Sequence, residues 1–197
     1  MSQLVLFWHR RDLRIADNLG LAAACERSLN VVGVFCLDPK ILQRDDVASA
    51  RVRYMIGCLE TLQEQYVKAG SQLLILKAEP TQGIVPLALA LGAKAVFWNK
   101  DVEPYSRDRD RMVAAALREQ NIEVCTFWDQ LLHEPKTVVT GSGQPYTVYT
   151  PFWRNWSRKS KDSPVSAPQG LQGLTDDEQA IAKTKGAIAL PAANDLG

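Results

Sequence analysis

The stretch Leu4-Val5-Leu6-Phe7-Trp8, followed by His9-Arg10-Arg11-Asp12-Leu13-Arg14, decides how this chain can fold. A short, near-continuous apolar run is typical of a strand that is buried on both faces of a parallel sheet. Asp17-Asn18 then supplies a polar N-cap before an apolar-periodic segment, which predicts a helix after the turn. The order is therefore a buried strand, a cationic turn and a capped helix.

The same alternation continues along the chain. The predicted strands lie at 4–8, 31–37, 72–77, 94–98 and 122–128, and the predicted helices near 18–28, 48–69, 81–92 and 106–120. Strands that alternate with helices indicate βαβ units, which build a parallel sheet covered by helices on both faces. The predicted fold class is α/β: a Rossmann-like five-stranded parallel sheet in the order 3-2-1-4-5, followed by an extended linker.

The pattern changes in the last third of the chain. The aromatic cluster at 149–156 predicts a short helix on the flank of the domain. Residues 157–197 contain few large apolar groups, so we interpret them as an interdomain linker that is partly disordered. One short helix is expected there, after the capping-box sequence Thr175-Asp176-Asp177-Glu178. The predicted organisation is an α/β domain at 1–156 and a linker at 157–197.

Composition limits the functional classes. A chain of 197 residues fits one domain plus a tail, and a net charge of +1 argues against a protein that binds nucleic acid through a global positive field. The four cysteines form no Cys-x-x-Cys pair and the two histidines no cluster, so neither a disulfide framework nor a metal site is expected. No apolar run reaches the roughly 18 residues of a membrane span. We expect a cytoplasmic monomer.

The predicted strand order also indicates where a ligand binds. Winding reverses between strands 1 and 4, and a crevice opens above their carboxyl ends. Polar loops follow three strands at this edge: His9-Arg10-Arg11 after strand 1, Cys36-Leu37-Asp38 after strand 2, and the loop from Asn99 to Tyr105 after strand 4. The turn after strand 1 contains no glycine, so it does not suit a backbone phosphate cradle. Side chains are expected to form the site.

Less specific interpretations stay open for several of these residues. Arg11 and Arg14 fit a solvated turn equally well, and Cys36 fits the role of a small buried residue. Arg51 opens a helix, where the helix dipole disfavours a cation, and this favours a role in binding. His9 has no nucleophile in a recognisable setting, so no catalytic residue is predicted.

Five motifs share one resemblance. They are Phe7-Trp8-His9-Arg10-Arg11-Asp12-Leu13-Arg14, Phe35-Cys36-Leu37-Asp38-Pro39, Ala50-Arg51-Val52, the 98–110 segment with Asp101, Glu103-Pro104-Tyr105 and Arg107-Asp108, and Trp128-Asp129-Gln130-Leu131-Leu132-His133. Together they resemble the N-terminal domain of the DNA photolyase/cryptochrome family over residues 3–157. In detail the sequence is most similar to cyanobacterial photolyases that carry an 8-hydroxy-5-deazaflavin antenna.

The resemblance implies a light-harvesting antenna domain of a photolyase that repairs cyclobutane pyrimidine dimers by electron transfer from FAD. The helical domain that holds FAD and meets damaged DNA is absent from this sequence, so we expect no repair by this chain alone. The implied antenna is an 8-hydroxy-5-deazaflavin, with methenyltetrahydrofolate or a flavin as alternatives. The antenna contacts implied by position are Arg10, Cys36, Leu37, Asp38, Arg51, Asp101, Val102, Glu103, Pro104, Tyr105 and Arg109.

Two other functions stay open at this point. One is the same antenna domain in a cryptochrome, a signalling photoreceptor. The other is a nucleotide-binding or interaction module of the α/β class, against which stands the lack of a glycine-rich phosphate loop.

Overall fold

The computed structural model describes residues 3–44 and 47–196, so the predicted domain limits at Met1 and Gly197 lie outside the described residues. The strands are β1 Val5–His9, β2 Val31–Cys36, β3 Leu73–Leu76, β4 Ala95–Asn99, β5 Glu123–Phe127 and β6 Ala187–Ile188. The helices are α1 Leu19–Arg27, α2 Pro39–Leu42, α3 Ser49–Ala69, α4 Pro80–Ala90, α5 Pro104–Glu119, α6 Tyr149–Arg158 and α7 Asp176–Thr184, with a 3-10 turn at Ala193–Asp195. The five predicted strands and four predicted helices are present.

The sheet has the order β5-β4-β1-β2-β3-β6. Its first five strands are parallel, with Val5 of β1 opposite Val31 of β2 and Ala95 of β4, which confirms the predicted order. The predicted strand count is wrong by one, because β6 pairs antiparallel with β3. A strand of two residues leaves no periodic signal, and its pairing depends on tertiary contacts that a local pattern does not contain.

Apolar side chains cover both faces of the sheet. Successive strand residues point to opposite faces, so Leu6 and Trp8 pack with α4 and α5, whereas Val5 and Phe7 pack with α1 and α3. Helices therefore occupy both faces. Because the helices cover both faces, polar side chains collect at the carboxyl ends of the strands. Within the described residues, no helix combines the length and apolar character that a membrane crossing requires.

The tail packs against the α/β unit. Leu171 and Leu174 are each 6% exposed, and Ala182 of α7 is fully buried. The sequence does not predict these contacts, because isolated leucines on an extended chain form no periodic pattern. The capping box of Thr175 and Glu178 that begins α7 is confirmed. The role of residues 157–197 as an interdomain linker stays a prediction.

The aromatic helix α6 forms as predicted, but its packing is local. The ring of Trp156 packs edge to face against that of His133, with 5.8 Å between the ring centroids. Asn155 Nδ2 donates to the Val139 carbonyl oxygen at 2.9 Å. Exposed Tyr149 and Trp153 lie on the same helix. The helix is thus held by the 133–146 loop.

Candidate functional site

A cavity of about 590 Å³ lies at the carboxyl ends of β1, β2 and β4, where the strand order reverses. Its wall combines the turn after β1, the end of β2 with α2, one face of α3 and the start of α5. This is the edge of the sheet that the strand order predicts for a ligand. The predicted site residues that line it are Arg10, Cys36, Leu37, Asp38, Asp101, Glu103, Tyr105 and Arg109.

Three predicted residues are not among the described residues that line the cavity. Arg51 is exposed in the first turn of α3, and Val102 is 42% exposed. Pro104 begins α5, a position where its missing N–H costs the helix no hydrogen bond. Contact between these three residues and a ligand stays a prediction.

Two arginines with largely buried side chains line the cavity. The side chains of Arg10 and Arg109 are each 9% exposed, and both donate to the carboxylate of Asp110. Their guanidinium carbons lie 5.2 Å and 4.8 Å from the ring centre of Trp8, within the range of cation–π attraction. This trio contains two positive charges and one negative charge. A buried excess of positive charge favours an anionic group on a ligand.

Asp38 and Tyr105 form a polar pair on another wall. The Tyr105 hydroxyl donates to Asp38 Oδ2 at 2.8 Å, while Asp38 Oδ1 accepts from the Lys40 N–H and caps α2. Burial, followed by the hydrogen bond to Asp38, raises the pKa of Tyr105 to about 12. The phenol therefore keeps its proton near neutral pH, and Asp38 keeps a fixed orientation.

Asp101 is the most buried of the acidic side chains that face Arg11. Its carboxylate is 5% exposed, accepts from the Glu103 N–H at 3.1 Å and lies 3.5 Å from Arg11 Nε. Burial alone raises the pKa of Asp101, but the Glu103 N–H, the Ser106 hydroxyl and the neighbouring guanidinium groups reverse this, so its pKa lies below the ordinary value. Asp101 is therefore an ionised acceptor. Glu103, at 52% exposure, is only a loose partner of Arg11.

Sequence reasoning missed the apolar wall of the cavity. Tyr54, Met55 and Cys58 of α3 contribute to it, together with Ile41 and Leu42 of α2. The available signal was that Tyr54 and Cys58, four residues apart, share a face of α3 outside the buried stripe that contains Ile56 and Leu59. An apolar face that packs against no element is a sign of a ligand surface.

His9 and Cys36 have structural rather than reactive environments. His9 Nδ1 donates to the Asp12 carbonyl at 3.0 Å, so Nε2 accepts from the Tyr66 hydroxyl at 2.8 Å. Burial lowers the pKa of His9 to about 4, so the ring is neutral. Burial also raises the pKa of the Cys36 thiol, which fits a small apolar residue and not a nucleophile.

Comparison with known proteins identifies the family. The sequence profile of DNA photolyase matches residues 5–169. The deoxyribodipyrimidine photo-lyase of Synechococcus sp. (strain PCC 6301) is 50% identical over 197 residues, which is 100% of this chain and 41% of that protein. The chain thus spans less than half the length of this curated relative.

Solved structures share the fold. A photolyase from Sulfolobus tokodaii, described with two FAD molecules and an implied novel light-harvesting cofactor, is 27% identical. Its TM-score is 0.75, over 92% of this chain and 41% of that one. A cryptochrome of Synechocystis sp. PCC6803 matches with a TM-score of 0.82 at 23% identity, over 96% of this chain and 39% of its own. The chain belongs to the DNA photolyase family, as its N-terminal α/β domain.

Proposed function

We propose that this domain binds a planar light-harvesting chromophore in the cavity at the carboxyl ends of β1, β2 and β4. The observation that supports this most is the cavity itself, whose volume of about 590 Å³ falls within the roughly 300–1,000 Å³ of small-molecule sites. It combines an apolar wall with a few fixed donors and acceptors, as such sites usually do. The Sulfolobus tokodaii relative, with its implied light-harvesting cofactor, supports an antenna role.

The chromophore that fits these residues best is of the 8-hydroxy-5-deazaflavin type. Tyr54 and Met55 offer an apolar surface for a flat ring, and Asp101 is an ionised acceptor for ring N–H or ribityl hydroxyl groups. Arg10 and Arg109, which share one carboxylate, favour an acidic hydroxyl in its anionic form. Methenyltetrahydrofolate and a flavin are the alternatives. When bound, such a group absorbs light and passes on excitation energy.

Repair belongs to a longer protein in this proposal. Because the chain spans 41% of its photo-lyase relative, we assign the splitting of cyclobutane pyrimidine dimers, FAD and contact with damaged DNA to a parent that also has a helical domain. We further propose a cytoplasmic, monomeric parent. A cryptochrome parent is the second candidate, and no observation in the cavity favours it.

Titration of the purified domain with 8-hydroxy-5-deazaflavin, riboflavin and methenyltetrahydrofolate tests the proposal. Fluorescence should report saturable binding, tightest for the deazaflavin. Asp101→Ala removes a buried charged acceptor and should weaken affinity by about 1.5–3 kcal/mol, roughly tenfold to more than a hundredfold. Arg118→Ala, exposed near the end of α5, is the matched control and should bind like the parent. Failure of all three chromophores to bind, or equal affinities of Asp101→Ala and parent, overturns the proposal.

A further inference from the structure

A second cavity, of about 230 Å³, adjoins the first at the carboxyl ends of β1 and β4. Asp12 and Arg14 reach it from the turn after β1, Asn99 from the end of β4, and Asp129 from the segment after β5. Hydrogen bonds connect these four side chains across three separate segments of the chain.

Arg14 is surrounded by acceptors. Nη1 donates to Asp12 Oδ1 at 3.0 Å and Nη2 donates to Asp129 Oδ2 at 3.1 Å. A third carboxylate, that of Asp17, lies 4.0 Å from Nη2. Three carboxyl groups thus share one cation, and repulsion between neighbouring carboxylates disfavours full ionisation of the group.

Asp129 accepts hydrogen bonds with both of its carboxylate oxygens. Its side chain is 4% exposed, and Oδ1 accepts from the Leu19 N–H at 3.0 Å in the first turn of α1. Oδ2 accepts from Asn99 Nδ2 at 3.3 Å as well as from Arg14. Three donors thus surround this carboxylate: a helix N-terminal N–H, a side-chain amide and a guanidinium.

Asp12 has the opposite environment. Its Oδ2 is buried and has no hydrogen-bond partner among the described residues. A buried, ionised oxygen that accepts no hydrogen bond is unfavourable. A protonated oxygen needs only an acceptor, and the neighbouring Asp129 carboxylate can accept from it. Burial, followed by the interaction with Asp129, raises the pKa of Asp12 to about 7, although Arg14 acts in the other direction.

We propose that Asp12 is a positioning residue that works as a neutral acid: its Oδ2–H donates to Asp129 and locks the turn that brings Arg10 and Arg11 to the chromophore cavity. The Asp12 carbonyl also accepts from His9 Nδ1, so the side chain and the backbone of one residue both fix this turn. The expected effect of this turn on chromophore binding rests on the function proposed above. The proton shared between Asp12 and Asp129 does not depend on that function.

The turn should loosen as the pH rises. The charged side chains that share the small cavity or act on Asp12 are Arg10, Arg11, Arg14 and Asp17 on its own turn, Lys100 and Asp101 after β4, and Asp129 after β5. His9 is neutral in the folded protein because burial lowers its pKa to about 4, whereas in the unfolded chain it stays protonated up to its ordinary pKa. Its contribution to stability therefore rises with pH over this range and opposes that of Asp12. The pKa of Asp12 is raised in the folded state. Its stabilisation is therefore complete below the ordinary carboxyl pKa and is lost as pH rises through about 7.

Measurements without any chromophore test the shared proton. NMR of the protein with isotopically labelled aspartate should show one carboxyl group that titrates near pH 7, missing in Asp12→Asn. In the parent, Asp12 should raise the unfolding equilibrium constant by up to about tenfold per pH unit from roughly pH 4 towards 7. This slope is read from the ratio of the parent's constant to that of Asp12→Asn, because the opposite slope from His9 is the same in both proteins and cancels. Asn keeps a donor toward Asp129 but cannot ionise, so Asp12→Asn should lack this slope.

Asp17→Asn is the matched control, because Asp17 faces the same arginine from a position that is 57% exposed. It should keep both the titrating group and the slope. Ordinary titration of every aspartate in the parent, or a parent-like pH profile in Asp12→Asn, overturns the proposal. If Asp12→Asn does not fold, the spectrum of the labelled parent decides.

A binding experiment tests the positioning role. With 8-hydroxy-5-deazaflavin as the probe, the Kd of the parent divided by that of Asp12→Asn should increase several-fold from below to above pH 7. Titration of the free probe changes both Kd values by the same factor, so the ratio of the two Kd values is independent of it. A ratio that is constant with pH overturns the positioning role. Absence of binding by either protein counts against the proposed function, and the chromophore-free measurements still decide on the shared proton.

Discussion

The carboxyl ends of the central strands and the β3 edge of the parallel sheet, where the tail packs, both contain buried side chains, but of different kinds. At the carboxyl ends the buried groups are charged: Arg10 and Arg109 are each 9% exposed and Asp101 is 5% exposed. At the β3 edge the buried groups are apolar, with Leu171 and Leu174 of the tail closing the core. Burial of charge costs free energy and is concentrated at functional sites, whereas apolar burial stabilises any fold. Substitutions in the two regions should therefore have different consequences.

The largest effect should follow from Asp110→Ala. This change leaves two buried guanidinium groups without their shared carboxylate, so we expect a loss of about 3–5 kcal/mol in the free energy of unfolding. Chemical denaturation measures it. Asp108→Ala is the control, since Asp108 is 68% exposed and its surface pair with Arg111 should contribute under about 1 kcal/mol. Equal stabilities of the two variants would show that the arginine pair does not need Asp110.

A smaller loss of stability is expected at the β3 edge. Leu174→Ala removes a leucine from the core between tail and sheet, and should cost about 2–3 kcal/mol in denaturant unfolding. Chromophore affinity should not change, because Leu174 lies outside the cavity wall. Leu132→Ala, at 65% exposure, should change neither quantity. A large change in affinity with Leu174→Ala would remove the distinction between the two regions.

The smallest effect should come from Tyr105→Phe. Loss of the hydroxyl that donates to Asp38 should weaken chromophore binding by about 0.5–1.5 kcal/mol, with the lower end favoured because Tyr105 is 42% exposed. The pKa of this phenol is raised to about 12, so the difference between variant and parent should be constant across neutral pH. Tyr149→Phe on α6 is the control. A difference that varies with pH near neutrality would place another titrating group at this position.

The sequence predicts the sheet and the location of the site because both depend on local patterns. Each strand from β1 to β5 is an apolar run, and parallel order fixes which loops meet at one edge. Residues within two positions of a strand end, such as Arg10, Asp38 and Asp101, could therefore be assigned to the cavity wall from the sequence.

Features that depend on distant partners could not be predicted. Arg10 and Asp110 lie 100 positions apart, so their ion pair follows only from the packing of α5 beside the turn after β1. β6 and the buried leucines of the tail depend on tertiary contacts in the same way. Position in the resemblance predicted both Arg51 and Arg109, but only the packing of α5 shows that Arg109 is buried against the cavity.

A crystal structure of the domain with 8-hydroxy-5-deazaflavin bound tests the central claim most directly. The account predicts density for one planar ring in the cavity of about 590 Å³, against the α3 face that includes Tyr54 and Met55, with its polar atoms toward Asp101 and Arg109. A ring bound at another surface, or a cavity that side chains fill when the chromophore is present at saturating concentration, would contradict it.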